Sequence, residues 1–432
     1  MTQGYLADYQ AFTANGGAAA PEWLKDLRAA AIARFAGLGF PTTREEEWRF
    51  TSVASIVETR FAFQHQAPSV DSAARRLGGL TPLHALVFVD GFFAPQLSAM
   101  GRLPAGVRVQ SLVEAFSEDP ELVRLHLGRY AGSDRSAFTA LATAFLRDGA
   151  LVHVPAHVLV PEPLQLLFVS TAAGGPHVSY PRTLVVLDEA AQATVVETYL
   201  SAVPGVHFTN AVTEIALGDR ARLTYARVQR ESEAAYHVAT TQSHQGRDSV
   251  FASTTIALGA ALSRHEITAV LGGSGGALNL NGLSLLEGRQ HADHHTTIEH
   301  AQPHCESHEL FNGIFDDQAR GVFNGRIIVR PGAQKTDSKQ TNNNVLLSGE
   351  ARADSQPQLE IYADDVKCTH GATLGPLDPT ALFYLRSRGL SAAAARAMVT
   401  YGFAAEVVSR IAAPDVRHRL DLIVRERLAA HA

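Results

Sequence analysis

A chain of 432 residues is long enough for two or three folding units, and 46% hydrophobic with 19% charged residues leaves ample apolar surface for globular cores. The formal charge of −6 argues against a general nucleic-acid binder, which needs clustered Lys and Arg. Two cysteines, Cys305 and Cys368, make no disulfide framework and fit a reducing compartment; MTQGYLADYQAF lacks a secretory pattern and no run of about 18 apolar residues occurs, so the cytoplasm is the expected location.

Residues 21–40 predict a helix, with Pro21 suited to the first turn and Leu24, Leu27, Ala31 and Leu38 near one face. In 40–53, Thr43 stands at the start of an acidic turn, and Trp48 and Phe50 are expected to pack on a core. ALVFVDGFFAP (85–95) predicts a hairpin turning at Asp90-Gly91. Ser111 and Glu114 spell a capping box, Asp119-Pro120 opens a helix, and Phe138, Leu141 and Phe145 space another. An N-terminal α-rich domain is expected over residues 1–147.

From Leu151 the character changes. LVHVPAHVLV, LQLLFVST, TLVVLDE, ATVVETYL, VTEIALG, RLTYARVQR and GRIIVRP are short β-prone runs punctuated by turn residues. Roughly 220 residues of this pattern predict a large sandwich or a solenoid of stacked β coils. Asn281, Asn312 and Asn324, each before a glycine, and Asn342–Asn344 fit tight corners or inward polar stacks. No fixed repeat length is visible, so the residues alone leave both architectures open.

Between 288 and 315 lie six histidines: His291, His294, His295, His300, His304 and His308. If the piece after Pro303 is extended, His304, Glu306 and His308 share one face and Cys305, Ser307 and Glu309 the other; if helical, His304 meets His308. Both geometries permit a metal, with His300, His304, Cys305 and His308 as secondary candidate ligands. A polar ladder of histidines inside a solenoid is the favoured reading. The zinc-protease pattern His-Glu-x-x-His is absent, GGSGG (272–276) lacks the strand-to-helix context of a dinucleotide loop, no P-loop occurs, and no Ser-His-Asp arrangement can be assembled from local signatures such as G-x-S-x-G.

The stretch from Asn342 to Gly389 closes the β-rich region. Leu359 and Ile361 alternate with polar neighbours, Ala363-Asp364-Asp365 interrupts, and Val366, Cys368 and His370 restart the alternation. In an extended chain, residues two apart share a side at about 6.5–7 Å between Cα atoms, so Cys368 and His370 face the same way. A thiol and an imidazole side by side are good ligands for iron or zinc, or a reactive pair; alternatively they are a small core residue and a capped strand end. Beyond Gly375 the pattern is helical. Asp378-Pro379 opens one helix and Gly389 stops it. Ser391 opens a second with Ala394, Met398, Tyr401, Ala405 and Val408 along one apolar face, Pro414 ends it, and Val416, Leu420 and Ile423 mark the last.

LEIYADDVKCTHGATLGPLD followed by ALFYLRSRGL resembles the signature of the SufB/SufD family of iron–sulfur cluster assembly scaffolds, and Gly371-Ala372-Thr373 is similar to its SufD branch. Glu299-His300, Pro303 to Ser307, VFNGRI (322–327) and the Trp48 region fit the same pattern. The resemblance implies a mainly β chain with flanking α: a parallel, right-handed β-helix core over 148–372 between the N-terminal helical domain and a C-terminal one over 373–432. It implies a non-catalytic subunit of a SufB–SufC–SufD complex, paired with SufB near the end of the β-helix and carrying the SufC ATPase on its C-terminal helices; the isolated chain would have only itself to pair with. Cys368 and His370 match the family's interface thiol and imidazole, with His370 the stronger ligand for iron or a transient cluster shared with SufB. Clusters take about four ligands, so none is expected to stay on the isolated chain. The rival expectation is a metalloenzyme using the 291–308 histidines; a third is a homodimeric solenoid without metal chemistry.

Overall fold

The structure, a computed structural model, describes residues 2–15, 20–77, 83–134, 136–172 and 174–429. Successive coils of the chain give one strand to each of two long parallel sheets. The first sheet runs from Gly149–Val154 through Arg182–Leu187, His207–Leu217, Tyr236–Gln245, Leu262–Leu271, His291–His300 and Arg320–Val329 to Arg352–Ile361. The second runs from His84–Val89 through Leu164–Ser170, Gln192–Ser201, Arg222–Arg230, Val250–Ala257, Ala277–Leu286, Glu306–Phe315 and Asp337–Leu346 to Lys367–Gly375. Every neighbour along these two runs is parallel. The architecture is therefore a β-solenoid rather than a sandwich.

Coil length explains why no repeat is visible in the sequence. Tyr236 aligns with Leu262, 26 residues on, whereas Arg320 aligns with Arg352, 32 residues on. The strands keep register while the corners absorb the difference. One corner recurs with a single left-handed residue at Ala190, Arg220, Asp248, Gly275, His304 and Lys335. Their amides join the corners of consecutive coils, as His304 does in donating to the Gln334 carbonyl at 2.9 Å.

Inward residues stack into a continuous core that includes Val195, Tyr225, Phe251, Leu280, Phe311, Phe323 and Ile327. The Asn-Gly pairs are not corners; all three lie mid-strand. Their glycines make room within the stack: a Cβ on Gly282 would lie 2.1 Å from a ring carbon of Phe311 on the next coil. Asn342 and Asn344 are buried, with Asn342 donating to the Phe311 carbonyl at 3.0 Å and Asn344 to Asn342 at 2.7 Å. Asn343 lies in the outward parity and donates to Asn312 at 3.3 Å.

At the N-terminal end, Asp90 and Gly91 both take positive φ, as a type I′ turn requires, and pair Phe88 with Phe93. The Ser111–Glu114 capping box forms on the helix Leu112–Glu118. The helices Glu22–Leu38 and Ala137–Ala144 occupy their expected stretches, whereas Thr2–Asn15 and Asp71–Leu77 are helices that the apolar spacing did not announce. The acidic stretch around Thr43 gives only a short 3-10 turn, Glu46–Trp48. Trp48 packs on Phe138 at 5.4 Å between ring centroids, with the Arg264 guanidinium 3.9 Å from the Trp48 centroid. The buried Glu214 fastens this region to the first sheet: it accepts from the amides of Gly128, Tyr130 and Ala131 at 2.8–2.9 Å and pairs with Arg182.

Three helices, Pro379–Ser387, Ala392–Val408 and Pro414–Ala429, follow the solenoid. The middle one buries Ala395, Thr400, Ala404, Val407 and Val408; of the expected stripe through Ala394 and Met398 only Val408 is buried, and Met398 is 52% exposed. This Ala-rich helix carries apolar residues on two faces, and the one that meets the second sheet near Leu283, Leu310 and Ile314 wins. Pro414 opens the last helix, the middle one having already ended at Val408.

Candidate functional site

Cys368 and His370 lie on the last strand of the second sheet, Lys367–Gly375, opposite Ser338 and Gln340 of the preceding coil. Aligned residues of parallel strands share a face, so both side chains are in the inward parity, as their spacing predicts. Ser338 and Gln340 are each 1% exposed, but His370 is exposed and Cys368 half-buried. The reason is positional: among the described residues no further coil covers them, because Pro379 begins a helix where the chain would otherwise turn into the first sheet again. The other terminal strand, Arg352–Ile361, is half-exposed on both faces. Among the described residues, each terminal strand leaves one edge of backbone N–H and C=O groups without a neighbouring strand.

A polar column lies beneath the pair. His300 Nε2 meets Ser307 Oγ at 2.8 Å, and Ser307 Oγ meets Ser338 Oγ at 2.7 Å, directly under Cys368 in the ladder. Beside it, Gln340, under His370, donates to Glu309 at 2.7 Å. No local spacing announces this column, since Ser307, Ser338 and Cys368 are 31 and 30 residues apart and align only once the coil lengths are known. Burial pushes the Cys368 thiol above its ordinary range, with Asp337 adding to the effect, so the thiol stays protonated at neutral pH.

Burial raises the Glu309 carboxyl to about 7. The folded chain thus binds this proton more tightly than the unfolded one, and stability falls as pH rises between about 4.5 and 7. Glu309→Gln mimics the protonated form. Melting curves should show the variant gaining on the parent by up to the order of 3 kcal/mol at pH 8, and by little at pH 5. An equal difference at both pH values would mean that Glu309 titrates normally.

The six histidines do not converge. His294 is in the inward parity beside Ser284 at 3.0 Å and next to His265, ring centroids 6.3 Å apart, and His300 is buried on Ser307. These two follow the ladder reading, and burial lowers each to about 4, keeping them neutral. His291 and His295 instead serve the junction with the N-terminal region, through Thr51 at 3.0 Å and through Asp293 and Glu47 at 3.0 and 3.2 Å. His304 is an exposed corner residue and His308 lies on the outward face of its strand. Cys305 is buried and its Sγ–H donates to the Gly273 carbonyl at 3.3 Å. His300, His304, Cys305 and His308 are therefore not brought together, and among the described residues no group of three or more His, Cys, Asp or Glu could hold a metal ion.

One unannounced cluster joins Ser170, His177 and Asp90, but Ser170 Oγ and Asp90 Oδ1 both meet the same nitrogen, Nε2, at 3.1 and 2.9 Å. No relay through the two ring nitrogens is possible, and all three side chains are buried. The cluster closes the hairpin onto the first coils. Large apolar side chains are exposed instead on the helix Pro379–Ser387, where Phe383 is 73% and Tyr384 56% exposed. No helix among the described residues is long and apolar enough to cross a membrane.

Comparison with known proteins accounts for nearly the whole chain. The family model described as SUF system FeS cluster assembly, SufBD core domain, matches residues 168–403, and that for the SufBD protein N-terminal region matches residues 1–166. The chain is 35% identical over 407 residues to an iron–sulfur cluster assembly SufBD family protein of Synechocystis, covering 92% of this chain and 89% of that one. It is 31% identical over 399 residues to the iron–sulfur cluster assembly protein SufD of Escherichia coli, covering 91% and 90%. To SufD of Bacillus subtilis it is 28% identical over 416 residues, covering 94% of each. With both family regions matched in order and a parallel β-solenoid between terminal helices, the chain belongs to the SufBD family of SUF-system iron–sulfur cluster assembly proteins.

Proposed function

We propose that this protein is a SufD-like, non-catalytic scaffold that completes an iron–sulfur assembly site together with a SufB partner. The observation carrying this reading is the uncovered last coil, where the inward positions Cys368 and His370 reach solvent and the sheet edges are unpaired. A second solenoid docked there continues the sheets, covers the exposed inward face and adds ligands beside the pair. Two donors hold iron weakly and no cluster fully, since clusters take about four ligands; the cargo is therefore shared and can leave when the seam opens. The exposed Phe383 and Tyr384, together with Met398, form a surface suited to carrying the SufC ATPase. ATP-driven closure of SufC would then strain the seam. Without SufB, a second copy of the chain is the available partner for the same edges.

Anaerobic reconstitution with iron and sulfide tests this directly. The SufB–SufC–chain complex should gain cluster absorbance and acid-labile sulfide, while the isolated chain gains little of either. A full, stable cluster on the isolated chain would overturn the shared-site reading.

A further inference from the structure

Under the last helix, Pro414–Ala429, the outer face of the second sheet is incompletely covered. Val196 and Val228 face Val416 and Leu420 around a mainly apolar cavity of about 190 Å³. A second compartment of about 340 Å³ shares Arg76, Arg230 and Ile423 in its walls. Three guanidinium groups, those of Arg76, Arg230 and Arg419, border the apolar compartment, and none has a hydrogen bond or ion pair with another described residue. Arg427, further along, differs: it is paired with Glu287 and lies 3.5 Å from Glu233. Arg230 is half-buried, beside Arg76 and Arg427, with Glu426 acting on it as an opposing charge and Glu231 and Glu233 also lining the second compartment.

Arg76 and Arg419 are exposed and solvated, so the cost of an unneutralised charge at this apolar hollow falls on the half-buried Arg230. A cavity of about 150 Å³ holds benzene, so the present one takes a short alkyl chain or an aromatic ring. We propose that this groove binds an amphipathic anion, its apolar chain lying between helix and sheet and its carboxylate or phosphate head among Arg76, Arg230 and Arg419. The site is on the flank of the solenoid and does not depend on the shared-cluster reading.

Calorimetric titration of the full chain with octanoate, octyl phosphate, octan-1-ol and acetate tests the proposal. Octanoate or octyl phosphate should bind saturably, which of the two is tighter identifying the head group, with octan-1-ol at least tenfold weaker and acetate silent. Arg230→Met should weaken the anion about tenfold and Arg230→Lys restore most of it, while Thr198→Phe, which fills the hollow, should abolish binding with an unchanged melting temperature. Absence of saturable binding by both anions at millimolar concentration, equal binding of octan-1-ol, or full affinity in Arg230→Met would overturn it.

Discussion

Glu214→Ala should destabilise the fold by about 3–5 kcal/mol, read as a fall in the urea midpoint, because it strands a buried cation and three backbone donors together. Glu214 and Arg182 are 0% and 1% exposed at their side chains. Removing the carboxylate leaves the Arg182 guanidinium without its counter-charge, and Gly128, Tyr130 and Ala131 without their acceptor. The two effects are separable. Glu214→Leu with Arg182→Met removes the charge from both sides and should recover part of the loss, since an apolar pair of similar volume is tolerated where a lone charge is not. What remains measures the three amides that join the 128–131 loop to the solenoid. A Glu214→Ala variant within about 0.5 kcal/mol of the parent, the range of ordinary surface changes, would mean that the junction is held elsewhere.

His370→Ala should lower cluster yield in the SufB-containing complex about tenfold or more, with the melting temperature of the isolated chain unchanged. His370 is exposed on the terminal strand, so its loss leaves no cavity and no buried partner. Cys368 differs in degree: it is half-buried and packs against the core, so Cys368→Ser should cost some stability as well. Equal cluster yield with and without the imidazole would remove His370 from the ligand set.

Much of the local structure was legible because it depends on near neighbours. The Asp90-Gly91 turn, the Ser111–Glu114 box and the Asp378-Pro379 helix start each require only a few residues in a fixed order. The shared parity of Cys368 and His370 was equally visible, being a two-residue spacing. The solenoid was not, since its coils vary from 26 to 33 residues and the residues alone admit a sandwich; family resemblance decided what periodicity did not. Asn-Gly pairs misled because a glycine signals a close approach as readily as a turn, and here Gly282 yields to the Phe311 ring. The histidine run follows the ladder only in part, at His294 and His300: neighbours in sequence alternate between the two faces of a strand, and the His304 corner changes direction again.

If the protein is a SufD-like scaffold, its last coil is an unfinished interface rather than a finished end. Hydrogen–deuterium exchange of the chain with and without SufB tests it most directly. The amides of Arg352–Ile361 and Lys367–Gly375 should gain protection on SufB binding, by more than those of the first coils around Gly149–Val154 and Leu164–Ser170. Unchanged exchange in both terminal strands, with protection appearing elsewhere on the chain, would mean that SufB does not dock on the last coil.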